Sequence, residues 1–140
     1  CTGLFEEQAE DLNYFKDLLK EHINKIMICT NPDLIVDKGN RRELCAGSVA
    51  LVFEKMGGEV IYFGKPFPEV YKQAINNEGK KVLSIGDNLN TDIKGANLLN
   101  FNSLIISNGV HRNEIKKEGI DVISKKYEVV VNFIQTDLKW

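Results

Sequence analysis

Apolar residues recur at Leu12, Phe15, Leu18, Leu19 and Ile23 within residues 6–23, the spacing that gathers them on one face of an amphipathic helix. Short unbroken apolar runs then take over. Ile26-Met27-Ile28-Cys29 is stopped by Thr30-Asn31-Pro32-Asp33, where proline holds Asn31 in extended geometry, so a buried strand ending in a polar loop is predicted. Residues 34–42, which hold Gly39-Asn40, read as loop. Helical spacing returns over residues 43–55 and stops at Gly57-Gly58.

Val60-Ile61-Tyr62-Phe63 is the next predicted strand, followed by Gly64-Lys65-Pro66 and a helix that Pro68 opens and Gly79 closes. Residues 81–85 form a third strand, ended by Gly86-Asp87-Asn88, with a short helix over residues 91–99 behind it. Residues 101–106 form a fourth strand ending in Ser107-Asn108-Gly109. A helix over residues 112–118, a fifth strand over residues 121–124 and a closing helix over residues 127–138 complete the expected order. Alternation at these lengths implies βαβ units: one layered α/β unit built on a parallel sheet, with right-handed crossovers and helices on both faces.

Composition narrows the class of function. The 140 residues are 43% apolar and 27% charged, with 18 basic against 20 acidic side chains for a net charge of −2, which excludes disorder as the main state. Runs such as Val49-Ala50-Leu51-Val52-Phe53 fall far short of the roughly 20 residues a spanning helix needs, so no membrane association is expected. A pI near 5.7 argues against nucleic acid as a partner, since phosphate contacts need concentrated Lys and Arg. Cys1, Cys29 and Cys45 have neither disulfide-framework nor zinc-ligand spacing, so a reducing, cytoplasmic setting is expected. His22 and His111 lack paired ligand spacing and are expected at the surface or at helix ends. Opening on Cys1 with no signal-peptide pattern, the chain is expected to be part of a longer protein.

In a parallel sheet the loops leaving the strands' carboxyl ends share one edge, where ligands bind. Thr30, Asn31 and Asp33, then Lys65, then Asp87, Asn88 and Asp92, then Ser107 and Asn108 all follow predicted strands. A lysine and a carboxylate on one rim suit a phosphate with its Mg²⁺: the ammonium offsets phosphate charge and the hard cation takes oxygen ligands. Asp92 either completes the metal's outer shell or orients Lys65. Local chemistry offers plainer roles too, since Asn31-Pro32-Asp33 and Gly86-Asp87-Asn88 suit turns, Asp92 suits a helix's first turn, and lysines are mostly solvated.

Gly64-Lys65-Pro66-Phe67-Pro68, followed about 20 residues later by Gly86-Asp87-Asn88-Leu89-Asn90-Thr91-Asp92-Ile93, and preceded by Thr30-Asn31-Pro32-Asp33, resembles one family. These motifs are similar to the C-terminal part of haloacid dehalogenase (HAD) superfamily hydrolases of class IIA, the branch with sugar-phosphate, nucleotide and p-nitrophenyl phosphate phosphatases. The resemblance implies a Rossmann-like α/β core, incomplete here, with residues 1–24 as the cap's end or the cap-to-core helix and residues 25–140 as the C-terminal part of the core. It implies that Lys65 is catalytic, stabilising the attacking aspartate and the transferring phosphoryl group. Asp87 would coordinate Mg²⁺, Asp92 would support the metal shell and the lysine, and Asn31 and Asp33 would shape the substrate entrance.

The sequence departs from that family by lacking an Asp-x-Asp-Gly nucleophile segment and the Thr-Asn-Asn-type phosphate loop. The resemblance therefore implies part of a Mg²⁺-dependent phosphatase acting on a small phosphorylated metabolite through an aspartyl phosphate, with the nucleophile outside these residues and little turnover without it. The central strands that would pair beside residues 82–85 are missing too, so a homo-oligomer or strand-swapped assembly is expected. The competing expectation is a non-catalytic α/β module that binds phosphate or a nucleotide, or docks to a protein, with the same rim.

Overall fold

A computed structural model describes residues 11–75 and 81–139. The chain folds as two compact units, residues 1–64 and 65–140. The α/β class expected from the alternation of elements holds, with parallel strand pairing in each unit.

The first unit opens with α1 (Leu12–Lys20), where the Asp11 carboxylate accepts the otherwise orphaned N–H groups of Asn13 and Tyr14 at 3.0 and 3.1 Å. Strand β1 (Ile26–Cys29) pairs in parallel with β4 (Glu59–Tyr62), in the register Met27 opposite Val60 and Cys29 opposite Tyr62. Between them, β2 (Ile35–Lys38) and β3 (Arg41–Leu44) form an antiparallel hairpin where a loop was expected. Its two-residue link is Gly39-Asn40, and Gly39 has φ +61°, a left-handed value that its missing Cβ permits. The bidentate Arg42–Asp37 pair, at 2.9 and 3.1 Å, ties the strands across.

Helix α2 (Ala46–Lys55) is the buried element of this unit, and its Ala46 and Ala50 pack with Cys29 against Met27, Val60 and Tyr62. Its first turn lies tight against residues 32–34. Gly47 N–H donates to the Asp33 carbonyl at 3.1 Å, and a Cβ on Gly47 would lie 2.1 Å from the Pro32 oxygen.

The second unit holds α3 (Pro68–Ala74), opened by its proline as expected, and a three-stranded parallel sheet in the order β5 (Leu83–Gly86), β6 (Asn102–Ile106), β7 (Phe133–Gln135). The predicted end of the helix near Gly79 lies outside the described residues. After β5 the chain takes a π-helical turn over Leu89–Ile93, which runs into α4 (Lys94–Leu98). Helices α5 (Arg112–Glu118) and α6 (Ile120–Lys126) follow β6. Leu89, Ile93, Ile105, Ile123 and Val129 form the core beneath this sheet.

Two C-terminal expectations are corrected. Residues 121–124 lie in α6 rather than a strand, because Gly119, at φ +82°, turns the chain and lets helix resume with Ile120 and Ile123 facing the core. The expected closing helix contains β7 instead, whose Phe133 and Ile134 pair beside Leu104 and Ile105. Aromatic and β-branched residues fit a pleated surface better than a helix.

Candidate active site

All three strands of the second unit run in parallel, so the loops after β5 and β6 leave the same edge of the sheet. The β5 loop is held by its own helix. Asn88 caps the π-helical turn, its Oδ1 accepting the Asn90 N–H at 2.9 Å, and Asp92 reaches back so that its Oδ2 accepts the N–H groups of Asp87 and Asn88 at 3.2 and 3.1 Å. This is capping-box logic displaced by one position, since the wider π turn brings the fourth helical residue, not the third, over the cap. The approach is close: a Cβ on Gly86 would lie 2.1 Å from the Asp92 Cγ.

The second oxygen of Asp92 takes the lysine. Lys65 Nζ lies 2.6 Å from Asp92 Oδ1, with the Asp92 side chain 7% exposed and that of Lys65 44% exposed. One buried carboxylate thus binds an ammonium with one oxygen and the loop bearing Asp87 with the other. The Asp92 hydrogen bonds go to Lys65 and to the loop amides, the contacts that the orienting role requires. The Tyr71 hydroxyl is buried nearby, seated over Gly95, whose missing Cβ makes room for it. Burial pushes the Tyr71 phenol up, Asp92 adds to this and Lys65 opposes it, so the group stays protonated at neutral pH.

Asp87 meets the β6 loop. Its Oδ2 accepts the Val110 N–H at 2.9 Å, and Gly109 allows that approach, since a Cβ there would lie 2.2 Å from the Asp87 carboxylate. The described hydrogen bond to the Asp87 carboxylate goes to Oδ2 rather than Oδ1. Among the described residues no three His, Cys, Asp or Glu side chains gather to hold a metal. A lone carboxylate on a polar rim does fit Mg²⁺, which keeps several waters and is commonly held by one or two carboxylates together with a substrate phosphate.

Lys65, Asp87 and Asp92 are therefore brought together in the second unit. Asn31 and Asp33 belong to the first, where the Asn31 Oδ1 accepts the Asp33 N–H at 3.3 Å in a local side-chain turn. Cys29 and Cys45 are buried free thiols, each pushed up by burial and so unreactive at neutral pH.

His111 is corrected in part. It stands at the start of α5, as a helix-end residue, but it is buried at 6% exposure among Glu114, Tyr127 and Asn88. The His-x-x-Glu spacing of His111 and Glu114 is the one sequence signal for this pair.

Lys65 and the Asp87 loop are thus joined through the Asp92 carboxylate beside the carboxyl ends of a parallel sheet. The chain belongs to the HAD-hydrolase-like family, whose model matches residues 62–134. It is 30% identical over 111 residues to a dihydroxyacetone phosphatase of Corynebacterium glutamicum, a match covering 73% of this chain and 40% of that protein. A haloacid dehalogenase-like hydrolase from Brucella suis superposes with a TM-score of 0.70 at 34% identity, covering 78% of this chain and 44% of the other. A glycerol phosphate phosphatase from Mycobacterium tuberculosis, solved with magnesium, shares the fold with a TM-score of 0.60 at 23% identity, covering 91% and 37%. The chain spans less than half the length of each. No helix among the described residues is long and apolar enough to cross a membrane.

Proposed function

We propose that this chain is the metal- and lysine-bearing part of a Mg²⁺-dependent phosphatase that hydrolyses a small phosphate monoester. The observation that carries this is the double use of Asp92, which fixes the Lys65 ammonium and the Asp87 loop with one carboxylate. Lys65 offsets charge on the phosphoryl oxygens, where a fixed cation gains most as the transition state spreads charge over them. Asp87 would hold Mg²⁺, which when bound neutralises phosphate charge as a Lewis acid.

In this reading the nucleophile is a carboxylate outside these 140 residues. Its oxygen bonds to phosphorus as the P–O bond to the leaving group breaks, and water then cleaves the aspartyl phosphate. The small phosphorylated substrates named for two of the similar proteins support the substrate class. The remaining edge of β5 supports a further proposal, that this strand pairs with chain outside these residues or with a second copy. Among the described residues β5 pairs only with β6, and Leu83 and Ile85 stand exposed.

The test compares p-nitrophenyl phosphate hydrolysis by the 140 residues alone and by the same chain fused behind an Asp-x-Asp-Gly-bearing segment taken from a similar phosphatase. Turnover is expected from the fusion only, with losses of about 10²–10³-fold in Lys65→Met and Asp87→Asn. Hydrolysis by the 140 residues alone that disappears in Asp87→Ala would overturn the external nucleophile.

A further inference from the structure

The β5 and β6 loops touch at two adjacent residues of the second. Val110 donates its N–H to Asp87 Oδ2 at 2.9 Å, and the next side chain, His111, faces Asn88 Oδ1 through Nε2 at 3.5 Å. The His111 ring is held from its far side. Its Nδ1 lies 2.9 Å from Glu114 Oε2, which also accepts the Tyr127 hydroxyl at 2.9 Å, and the Tyr127 ring packs edge-on against the imidazole at 4.8 Å. Glu114 Oε1 takes Lys126 Nζ at 2.9 Å. A carboxylate held by Lys126 and Tyr127 as well is a firm partner for Nδ1, and the ring plane is set by it.

Fixing that ring fixes the backbone just before it. Val110 owes its place over Asp87 to a chain bracketed by Gly109, where a Cβ would strike the Asp87 carboxylate, and by a buried, braced imidazole. The N–H of Val110 decides which carboxylate oxygen of Asp87 is occupied by protein.

We propose that His111, braced by Glu114 and Tyr127, is a positioning residue for Asp87: by seating the Val110 amide on Oδ2 it presents Oδ1 to the cation. The metal part of this rests on the phosphatase reading above; the seating of Asp87 does not. Carboxylates that hold a metal depend on such outer hydrogen bonds, whose removal typically weakens metal binding 10–100-fold.

The experiment uses the 140-residue chain with ¹⁵N labelling, in the forms wild type, Asp87→Asn, His111→Phe, His111→Gln and Glu114→Gln. Phenylalanine keeps the packing on Tyr127 and removes both nitrogens; glutamine restores a polar reach. One readout is hydrogen exchange of the Val110 amide, set against Ile105 in the core as the measure of global stability. The other is the midpoint at which Mn²⁺, a paramagnetic stand-in for Mg²⁺, broadens the Asn88 and Val110 signals.

In His111→Phe the Val110 amide is expected to exchange at least tenfold faster with Ile105 unchanged, and the Mn²⁺ midpoint to rise about tenfold or more. Recovery toward wild type in His111→Gln would support the role. Val110 exchange and Mn²⁺ midpoint both within twofold of wild type would overturn it, as would a weaker midpoint with unchanged Val110 exchange. Should His111→Phe not fold, the same two readouts in Glu114→Gln decide by the same criteria. Faster Val110 exchange in a chain whose wild type shows no Asp87-dependent broadening would uphold the seating of Asp87 and end the metal reading instead.

Discussion

The two units of this chain bury different things. In the first, α2 sinks Ala46, Gly47, Val49, Ala50 and Phe53, and Ser48 is the one polar side chain buried among the described residues; in the second, Asn88, Thr91, Asp92, Ser103 and His111 are all buried. Burying a polar group is costly unless it is hydrogen-bonded, so the second unit is stable only because its partners are in place. The first is held by small residues and close backbone approach, and its weak points are steric. The second is held by satisfied polar groups, and its weak points are lost partners and protonation.

The largest expected effect breaks the polar unit at its centre. Asp92→Ala leaves two loop amides without their acceptor and an ammonium without its counter-charge. Breaking a fully buried pair costs about 3–5 kcal/mol, but Lys65 is 44% exposed and rehydrates, so a loss of about 2–4 kcal/mol is expected in urea unfolding. Asp92→Asn should recover part of it, because one carboxamide oxygen can serve either the lysine or the amides, not both. A loss under about 1 kcal/mol for the alanine variant would mean that the buried carboxylate does not organise this loop.

The steric unit breaks at a single hydrogen. In Gly47→Ala the new methyl would lie 2.1 Å from the Pro32 carbonyl oxygen and 2.7 Å from that of Asp33, both backbone atoms that yield only if α2 moves off the loop. Overpacking of this kind costs about 1–3 kcal/mol, and alanine's better helix propensity returns about 1 kcal/mol of it. A net loss of about 1–2 kcal/mol is therefore expected in the same unfolding experiment. It should come without change at Val110 or Asp87, whose amide signals report the polar unit; a stabilised Gly47→Ala would show that the loop has slack.

This contrast also explains what was legible beforehand. Strands β1, β4, β5 and β6 are short apolar runs cut by turn residues, and Lys65, Asp87 and Asp92 sit in a motif pair with few alternative explanations. The β2–β3 hairpin was hidden because it buries no face: Asp37, Lys38, Arg41, Arg42 and Glu43 erase the alternation that marks a half-buried strand, although Gly39-Asn40 is a two-residue hairpin link. Strand β7 is three residues long and largely exposed, too short for any period to show. The approach of His111 to Asn88 depends on how two loops converge, which spacing along the chain does not record.

The smallest effect should be the most diagnostic, because only the polar unit can show it. Hydrogen bonds from His111 first, then Lys126 and Tyr127, hold the Glu114 carboxyl down at about 2, against 4.5 for the unperturbed group. Since the folded chain binds this proton less readily than the unfolded one, the contribution is fully present above about pH 4.5 and is lost as pH falls toward 2. Glu114 is about a third exposed, so solvent screening reduces that contribution to the order of 1 kcal/mol. Glu114→Gln should therefore be less stable than wild type by about that amount at pH 7, and the two curves should converge near pH 2. Lys126→Met, which removes the exposed partner, should shift the curve less than Glu114→Gln, because the buried imidazole and phenol remain. Parallel stability curves for wild type and Glu114→Gln from pH 7 to 2 would mean that the carboxylate's partners stabilise the unit without depending on its charge.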